Sequence, residues 1–83
     1  MNNVEGTPTN LSSGECLMIQ DAIAWDLGAS SYDVDVNPTA VLLGSYGGSC
    51  VITASWTFNG GHLNYKALIL LSPHEVTILI DGR

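Results

Sequence analysis

The stretch from residue 50 to residue 58 constrains the fold most, because side chains of two kinds alternate along it. Ile52, Ala54 and Trp56 are apolar, whereas the positions between them carry Thr53 and Ser55. Alternation with a period of two is the pattern of a β-strand that buries one face. The sequence therefore predicts a half-buried strand here.

Further strands are predicted on both sides of this one. Gly47-Gly48, Asn59-Gly60-Gly61 and Ser72-Pro73-His74 are typical turn sequences, and the glycine and asparagine residues tolerate a positive φ. The apolar stretches between these turns are strand candidates, which cover residues 39–46, 50–58, 63–71 and 76–80. Consecutive strands joined by short turns predict an antiparallel sheet.

The N-terminal half carries weaker signals. Residues 1–9 are polar and contain Pro8, so we expect a flexible tail. Residues 10–13 could cap a short helical turn, which Gly14 would limit in length. Residues 17–19 are an apolar run compatible with helix or strand. The sequence predicts one α+β domain over residues 1–83, with one or two short N-terminal helices and a mostly antiparallel sheet of about five strands.

The charge balance narrows the choice of partner. Two basic residues, Lys66 and Arg83, stand against eight acidic residues, which gives a net charge of −6. A protein that binds nucleic acid directly needs clustered Lys and Arg, and this sequence has no such cluster. We expect a basic protein partner, because opposite charges speed and orient encounter. The alternative is that the charge serves only solubility.

The sequence favours an intracellular setting. It has no apolar stretch of about 20 residues and no secretion signal at its start, so we expect a cytoplasmic protein that does not enter the membrane. In that compartment Cys16 and Cys50 are expected to be two buried thiols rather than a disulfide.

Catalytic signatures are weak throughout the sequence. Asp33-x-Asp35-x-Asn37 has the spacing that opens a calcium loop, but Pro38 and Gly44 stand where that loop needs Gly and Glu. His62 and His74 lie beside turns, without a second ligand at metal-binding spacing. We expect no enzyme, no cofactor, no metal and no small-molecule substrate.

One stretch carries a resemblance to a known family. Residues 17–23, Leu-Met-Ile-Gln-Asp-Ala-Ile, resemble the Leu-Val-Ile-Gln-Glu-Ser-Ile stretch of phage uracil-DNA glycosylase inhibitors. Asn37-Pro38, Tyr65-Lys66 and the final strand follow in the same order as similar features of that family. The resemblance covers about residues 10–80, and this family's length and acidity are also similar to those of this chain.

The resemblance implies how this chain would act. Members of that family mimic DNA and occupy the DNA-binding groove of uracil-DNA glycosylase, with one inhibitor per enzyme. It implies a groove-facing strand formed by Gln20, Asp21, Ala22 and Ile23, in which Asp21 replaces a phosphate. It also implies a hydrophobic pocket that receives an apolar side chain of the enzyme. The implied pocket residues are Trp25, Tyr32, Val34, Leu43, Ile52, Ala54 and Ile69.

Two alternatives stay open on sequence grounds. The chain could be a DNA-mimic inhibitor of another defence enzyme, such as a restriction or CRISPR nuclease. It could also be a small structural or assembly module whose sheet edge pairs with a strand of its partner.

Overall fold

One antiparallel sheet and one long helix make up the computed structural model, which describes residues 6–59 and 63–80. The strands are hydrogen-bonded in the order β1-β2-β3-β4-β5. The elements, in chain order, are β1 (Thr7–Asn10), α1 (Ser13–Leu27), a 3₁₀ turn (Ser31–Asp33), β2 (Val34–Tyr46), β3 (Ser49–Phe58), β4 (Leu63–Leu71) and β5 (Val76–Ile80). The predicted α+β class is confirmed.

The last three strands agree closely with the predicted ones. The structure begins β3 one residue earlier than predicted, and it gives β4 and β5 the predicted bounds. Gly47 and Gly48 both have positive φ and join β2 to β3 by a two-residue turn, which matches the twist of the flanking strands. Of the predicted Asn59-Gly60-Gly61 turn, residues 60 and 61 lie outside the described residues, as does His62.

The N-terminal half differs from the prediction. Residues 7–9, expected in a flexible tail, belong to strand β1, which pairs with β2. The helix is longer than expected and follows this strand. Gly14 does not limit its length, because a capping box fixes the first turn: Glu15 N donates to Ser12 Oγ (3.1 Å), and Ser12 N donates to Glu15 Oε1 (2.9 Å).

The helix ends at Gly28, which adopts a left-handed conformation with a φ of 68°. Glycine takes this conformation without the steric cost that a Cβ would add. The amide of Ala29 then donates to the carbonyl of Ala24, which closes the last turn. Within the described residues, no helix is long and apolar enough to cross a bilayer.

The helix packs on one face of the sheet, which we call the covered face. The register places Ala40, Ala54 and Ala67 in one row across β2, β3 and β4, and all three are buried. Small side chains in such a row leave room for the helix. Larger apolar residues on either side of the row complete the core with Ile19 and Ile23 of the helix.

The opposite face of the sheet carries no helix among the described residues, and we call it the open face. Its residues alternate with those of the covered face along each strand. One row across all five strands is formed by Pro8, Val41, Thr53, Leu68 and Ile80. The next row contains Gly44, Val51, Leu70 and Thr77. Most of these side chains are half-buried or exposed.

Candidate functional site

Three residues that point away from the sheet form a stripe along α1. Leu17, Asp21 and Trp25 are spaced by four residues, which places them on one side of a helix. The side chain of Leu17 is 58% exposed and that of Trp25 is 87% exposed. Asp21 lies exposed between them. We call these three residues the outer stripe.

The outer stripe has the composition of a protein-binding surface. Large apolar side chains are normally buried, and Trp residues contribute disproportionately to binding energy at protein interfaces. A carboxylate between two apolar anchors adds orientation, because it attracts a basic partner. The stripe can therefore bind protein, and it contains no group arranged for catalysis.

The acidic residues reinforce this assignment. Helix α1 carries Glu15, Asp21 and Asp26 but no Lys or Arg. Asp26 lies in the last helical turn. These acidic side chains give the helix a negative charge that attracts a basic partner.

An open groove lies beside the outer stripe, between α1 and the edge strand β5. Its volume is about 330 Å³, and Trp25 forms part of its wall. The other residues that line it are Ala22, Asp26, Val76, Thr77 and Ile78. The lining mixes apolar side chains with polar groups, and such a groove suits a partner side chain that has both apolar and polar parts.

The predicted groove-facing strand is wrong, because residues 20–23 lie in helix α1. Their side chains point in different directions around the helix, so they cannot line one groove. Ile23 is 3% exposed and belongs to the core. The amide of Gln20 donates to the carbonyl oxygens of Ser31 (2.6 Å) and Val34 (2.7 Å), which fixes the 3₁₀ turn against the helix. Of the other three residues, Asp21 is exposed, and Gln20 and Ala22 are half-buried.

The predicted hydrophobic pocket is also wrong as a single site. Val34, Ile52, Ala54 and Ile69 are at most 1% exposed, because the helix covers them. Ala54 belongs to the core together with Ile19 and Ile23 of the helix, so it is not accessible to a side chain of a partner. What space remains beneath the helix, beside Trp56 and Ala67, holds no water-sized volume.

The other three predicted pocket residues lie elsewhere. Trp25 and Tyr32 are 87% and 91% exposed, so they do not close a pocket over the sheet. Leu43 is the extra residue at a register shift between Leu42 and Gly44, and it is half-buried. Of the seven predicted residues, Trp25 alone lines the open groove beside β5.

Sequence reasoning overlooked Leu17 and Asp26 as surface residues. The signal that could have found them is the Ser-x-x-Glu capping box at residues 12–15, which announces a helix. Once residues 13–27 are read as helical, the four-residue spacing of Leu17, Asp21 and Trp25 becomes visible.

The two cysteines and His74 all lie in the described residues, and their burial can be compared with what the sequence suggests. Cys16 and Cys50 are free thiols, as expected, but Cys50 is exposed and Cys16 is only half-buried, so the expectation of two buried thiols is wrong. Burial and the neighbouring Glu15 carboxylate raise the pKa of the Cys16 thiol. His74 is exposed.

Comparisons with protein-family models, with curated proteins and with solved structures return no match to this chain.

Proposed function

We propose that this chain binds a basic surface of a partner protein through the outer stripe of α1 and blocks the partner's access to nucleic acid. The observation that carries the proposal is the stripe itself, in which two exposed apolar side chains flank an exposed carboxylate. The acidic character of the whole helix supports it. In this proposal the chain is not an enzyme and needs no cofactor.

Uracil-DNA glycosylase is the partner that we propose first. The support is the resemblance of residues 17–23 and of the features that follow them to the inhibitors of that enzyme. The way of binding must differ from the one that the resemblance implies, because a helix and not a strand presents Asp21. Asp21 would replace a DNA phosphate, and Trp25 would be the apolar anchor.

The setting proposed with this partner is the cytoplasm of a host cell, where a phage-encoded inhibitor would protect uracil-containing DNA from excision. One inhibitor would bind one enzyme. The chain itself would not bind DNA, because its two basic residues provide too few phosphate contacts.

The test is a uracil-excision assay in which the purified chain is titrated against a bacterial glycosylase. The parent protein should abolish excision at a ratio close to one to one. Asp21→Lys should raise the concentration for half-inhibition at least about tenfold, because like charges that face each other across an interface cost several kcal/mol. Trp25→Ala should weaken inhibition to a similar degree, since it removes one of the two apolar anchors of the outer stripe.

Asp35→Lys is the matched control. It reverses the same charge at an exposed position on the open face, away from α1. This variant should inhibit almost like the parent. Equal loss in Asp21→Lys and Asp35→Lys would show that net charge alone governs binding, and no inhibition by the parent protein would exclude the glycosylase as partner. A restriction or CRISPR nuclease would then be titrated with the same three variants.

A second candidate function, that of an assembly module, is favoured by strand β5. This strand is at the edge of the sheet, and its sequence, Val-Thr-Ile-Leu-Ile, contains no charge and no Pro. Leu79 and Ile80 are 47% and 61% exposed. Exposed apolar edges of this kind pair readily with a strand of another chain, and natural proteins usually protect them.

Edge pairing can be separated from binding through the helix. If β5 recruits a partner strand, Leu79→Lys should abolish assembly into larger species, because a charge on an edge opposes pairing. Asp21→Lys should leave that assembly unchanged. Size-exclusion chromatography of the two variants at matched concentration measures the difference, and assembly that resists Leu79→Lys contradicts this candidate.

A further inference from the structure

We propose that the open face of the sheet is the docking surface for a second copy of this chain, so that two sheets pack face to face in a symmetric dimer. This inference goes beyond the proposed function, because it uses the side of the sheet opposite to α1. It rests on the composition of the open face, on its charge and on its area.

The composition of the open face suits a dry interface. Val41, Val51, Leu68 and Leu70 occupy its centre, with Thr53 among them. Sheets have to bury an apolar face against another layer, and in this chain the described residues supply a layer on the covered face only. Two sheets that pack through such faces lie about 10 Å apart, with interdigitating side chains.

The charge of the open face favours a second copy as the occupant. The whole chain has a net charge of −6, so most of its surface repels another copy. The open face carries one acid, Asp35, and one base, Lys66, and is therefore neutral. Lys66 is the only Lys or Arg in the described residues. The rest of the described acids lie on the helix, in the 3₁₀ turn or in the turn before β5.

The positions of these two charges fit a two-fold axis. Asp35 is paired with Thr57, whereas Lys66 is paired with Ser55, so the two residues lie two strand spacings apart across the sheet and two residues apart along it, which is about 12 Å in all. In a symmetric interface a contact between one residue and another occurs twice. If Lys66 of one copy meets Asp35 of the other, the reciprocal pair forms at the same time.

The area of the open face predicts a weak dimer. Four strand spacings and strands of moderate length give a face of about 20 by 25 Å, or about 500 Å² per copy. Two copies would bury about 1,000 Å² in total, which is near the lower limit for a specific interface. We therefore expect a monomer at low micromolar concentration and a dimer at concentrations approaching the millimolar range.

Sedimentation of the full chain over a concentration series tests the proposal. The apparent mass should rise from 8.8 kDa towards twice that value. Thr53→Lys places a charge at the centre of the face, at a half-buried position whose side chain lies outside the core. This variant should stay monomeric at every concentration while keeping the circular dichroism spectrum of the parent.

A charge exchange identifies the contact itself. Lys66→Asp and Asp35→Lys should each weaken the dimer at least about tenfold, because each single variant brings like charges together. An equimolar mixture of the two should form a heterodimer, since both contacts are then attractive. The double variant that carries both changes should regain the parent's affinity.

Three results would overturn the proposal. The parent protein could stay monomeric up to millimolar concentration. The dimer could survive Thr53→Lys but not Leu79→Lys, which would place the interface at the β5 edge. The single charge variants could fail to associate when mixed, although each is folded.

Discussion

The two faces of the sheet are built from alternate residues of the same strands, yet they differ in packing and in the charge around them. Beneath the helix, Ala54 and Ile69 are fully buried, whereas their chain neighbours Thr53 and Leu70 on the open face are half-buried. The helix adds three acids above the covered face, while the open face is neutral. Alternate residues along each strand therefore belong to two different surfaces: one set packs beneath the helix in the core, and the other set forms the open face.

The comparison teaches where a small protein can place a binding surface. A chain of 83 residues has one core, and the covered face and the inner side of α1 are committed to it. Among the described residues, the outer side of the helix, the β5 edge and the open face are surfaces outside that core. The pocket residues that the resemblance implies are mostly buried in the core, so we propose the exterior of α1 as the candidate site instead.

The largest expected difference between the two faces is in the stability lost when one residue on each face is enlarged. Ala54→Phe should lower the free energy of unfolding by about 3 kcal/mol, because the added ring has to displace the helix from the alanine row. Thr53→Phe, one residue away on the opposite face, should change it by less than about 0.5 kcal/mol.

Chemical denaturation of both variants measures this difference, at a concentration low enough to keep the chain monomeric. A large loss for both variants would mean that the open face is packed as tightly as the covered one. A small loss for Ala54→Phe would mean that the helix does not pack closely on Ala54, and the pocket prediction would regain support.

Gln20 tests how much two side-chain hydrogen bonds at the edge of the covered face contribute to stability. Its amide donates two hydrogen bonds that fasten the 3₁₀ turn and the start of β2 to the helix. Gln20→Ala should cost about 1–3 kcal/mol, because two carbonyl oxygens in a partly buried place lose their donors. Asp21→Asn, at the next position but on the outer side, should cost almost nothing.

This pair also separates a structural role from a binding role. If Gln20→Ala reduces inhibition no more than its loss of stability explains, while Asp21→Asn reduces inhibition without a loss of stability, the outer stripe alone contacts the partner. Thermal unfolding and the excision assay give the two readouts. The reverse pattern would restore the prediction that Gln20 faces the partner.

A smaller effect is expected at the N-terminus of α1, the helix that packs on the covered face. Ser12 caps the helix with a hydrogen bond from Glu15 N, whereas Ser13 lies one residue inside the helix, exposed. Ser12→Ala should cost about 1 kcal/mol. Ser13→Ala should be neutral or slightly stabilising, because Ala is the better helix former. Thermal denaturation distinguishes them, and equal midpoints would argue against the capping box.

How well the sequence predicts each structural element depends on whether the pattern that indicates it lies within a short stretch of residues. Strands β3 to β5 were predictable, because their alternation and the turns around them are contained in short stretches. The length of the helix is harder to predict, because Leu17-Met18-Ile19 is compatible with a helix or a strand, and the capping box at Ser12 and Glu15 is the local signal that favours a helix. The candidate site depends on the same ambiguity, since Asp21 keeps its exposure in a helix but Ile23 turns into the core.

The pocket prediction failed for a different physical reason. A small residue in a strand shows that something approaches closely, but it does not show whether the protein's own helix or a partner does. Only the tertiary structure decides between them at Ala54, where the neighbouring alanines of β2 and β4 complete a row beneath α1.

The smallest expected effect concerns the two thiols, because their rates of modification report how well each one is shielded from solvent. Cys50 is exposed near the start of β3, whereas Cys16 is half-buried on the helix, and burial together with the Glu15 carboxylate raises the pKa of Cys16. A thiol reacts as the thiolate, so iodoacetamide should modify Cys50 first at pH 8.

The raised pKa of Cys16 also affects stability, because the Cys16 thiol loses its proton at a lower pH in the unfolded chain than in the folded one. The contribution of Cys16 to stability is therefore complete below its ordinary pKa and declines at higher pH. Mass spectrometry after limited labelling, with Cys50→Ser as the control that isolates Cys16, measures both rates. Equal rates at pH 8 would show that the helix margin opens as readily as the start of β3.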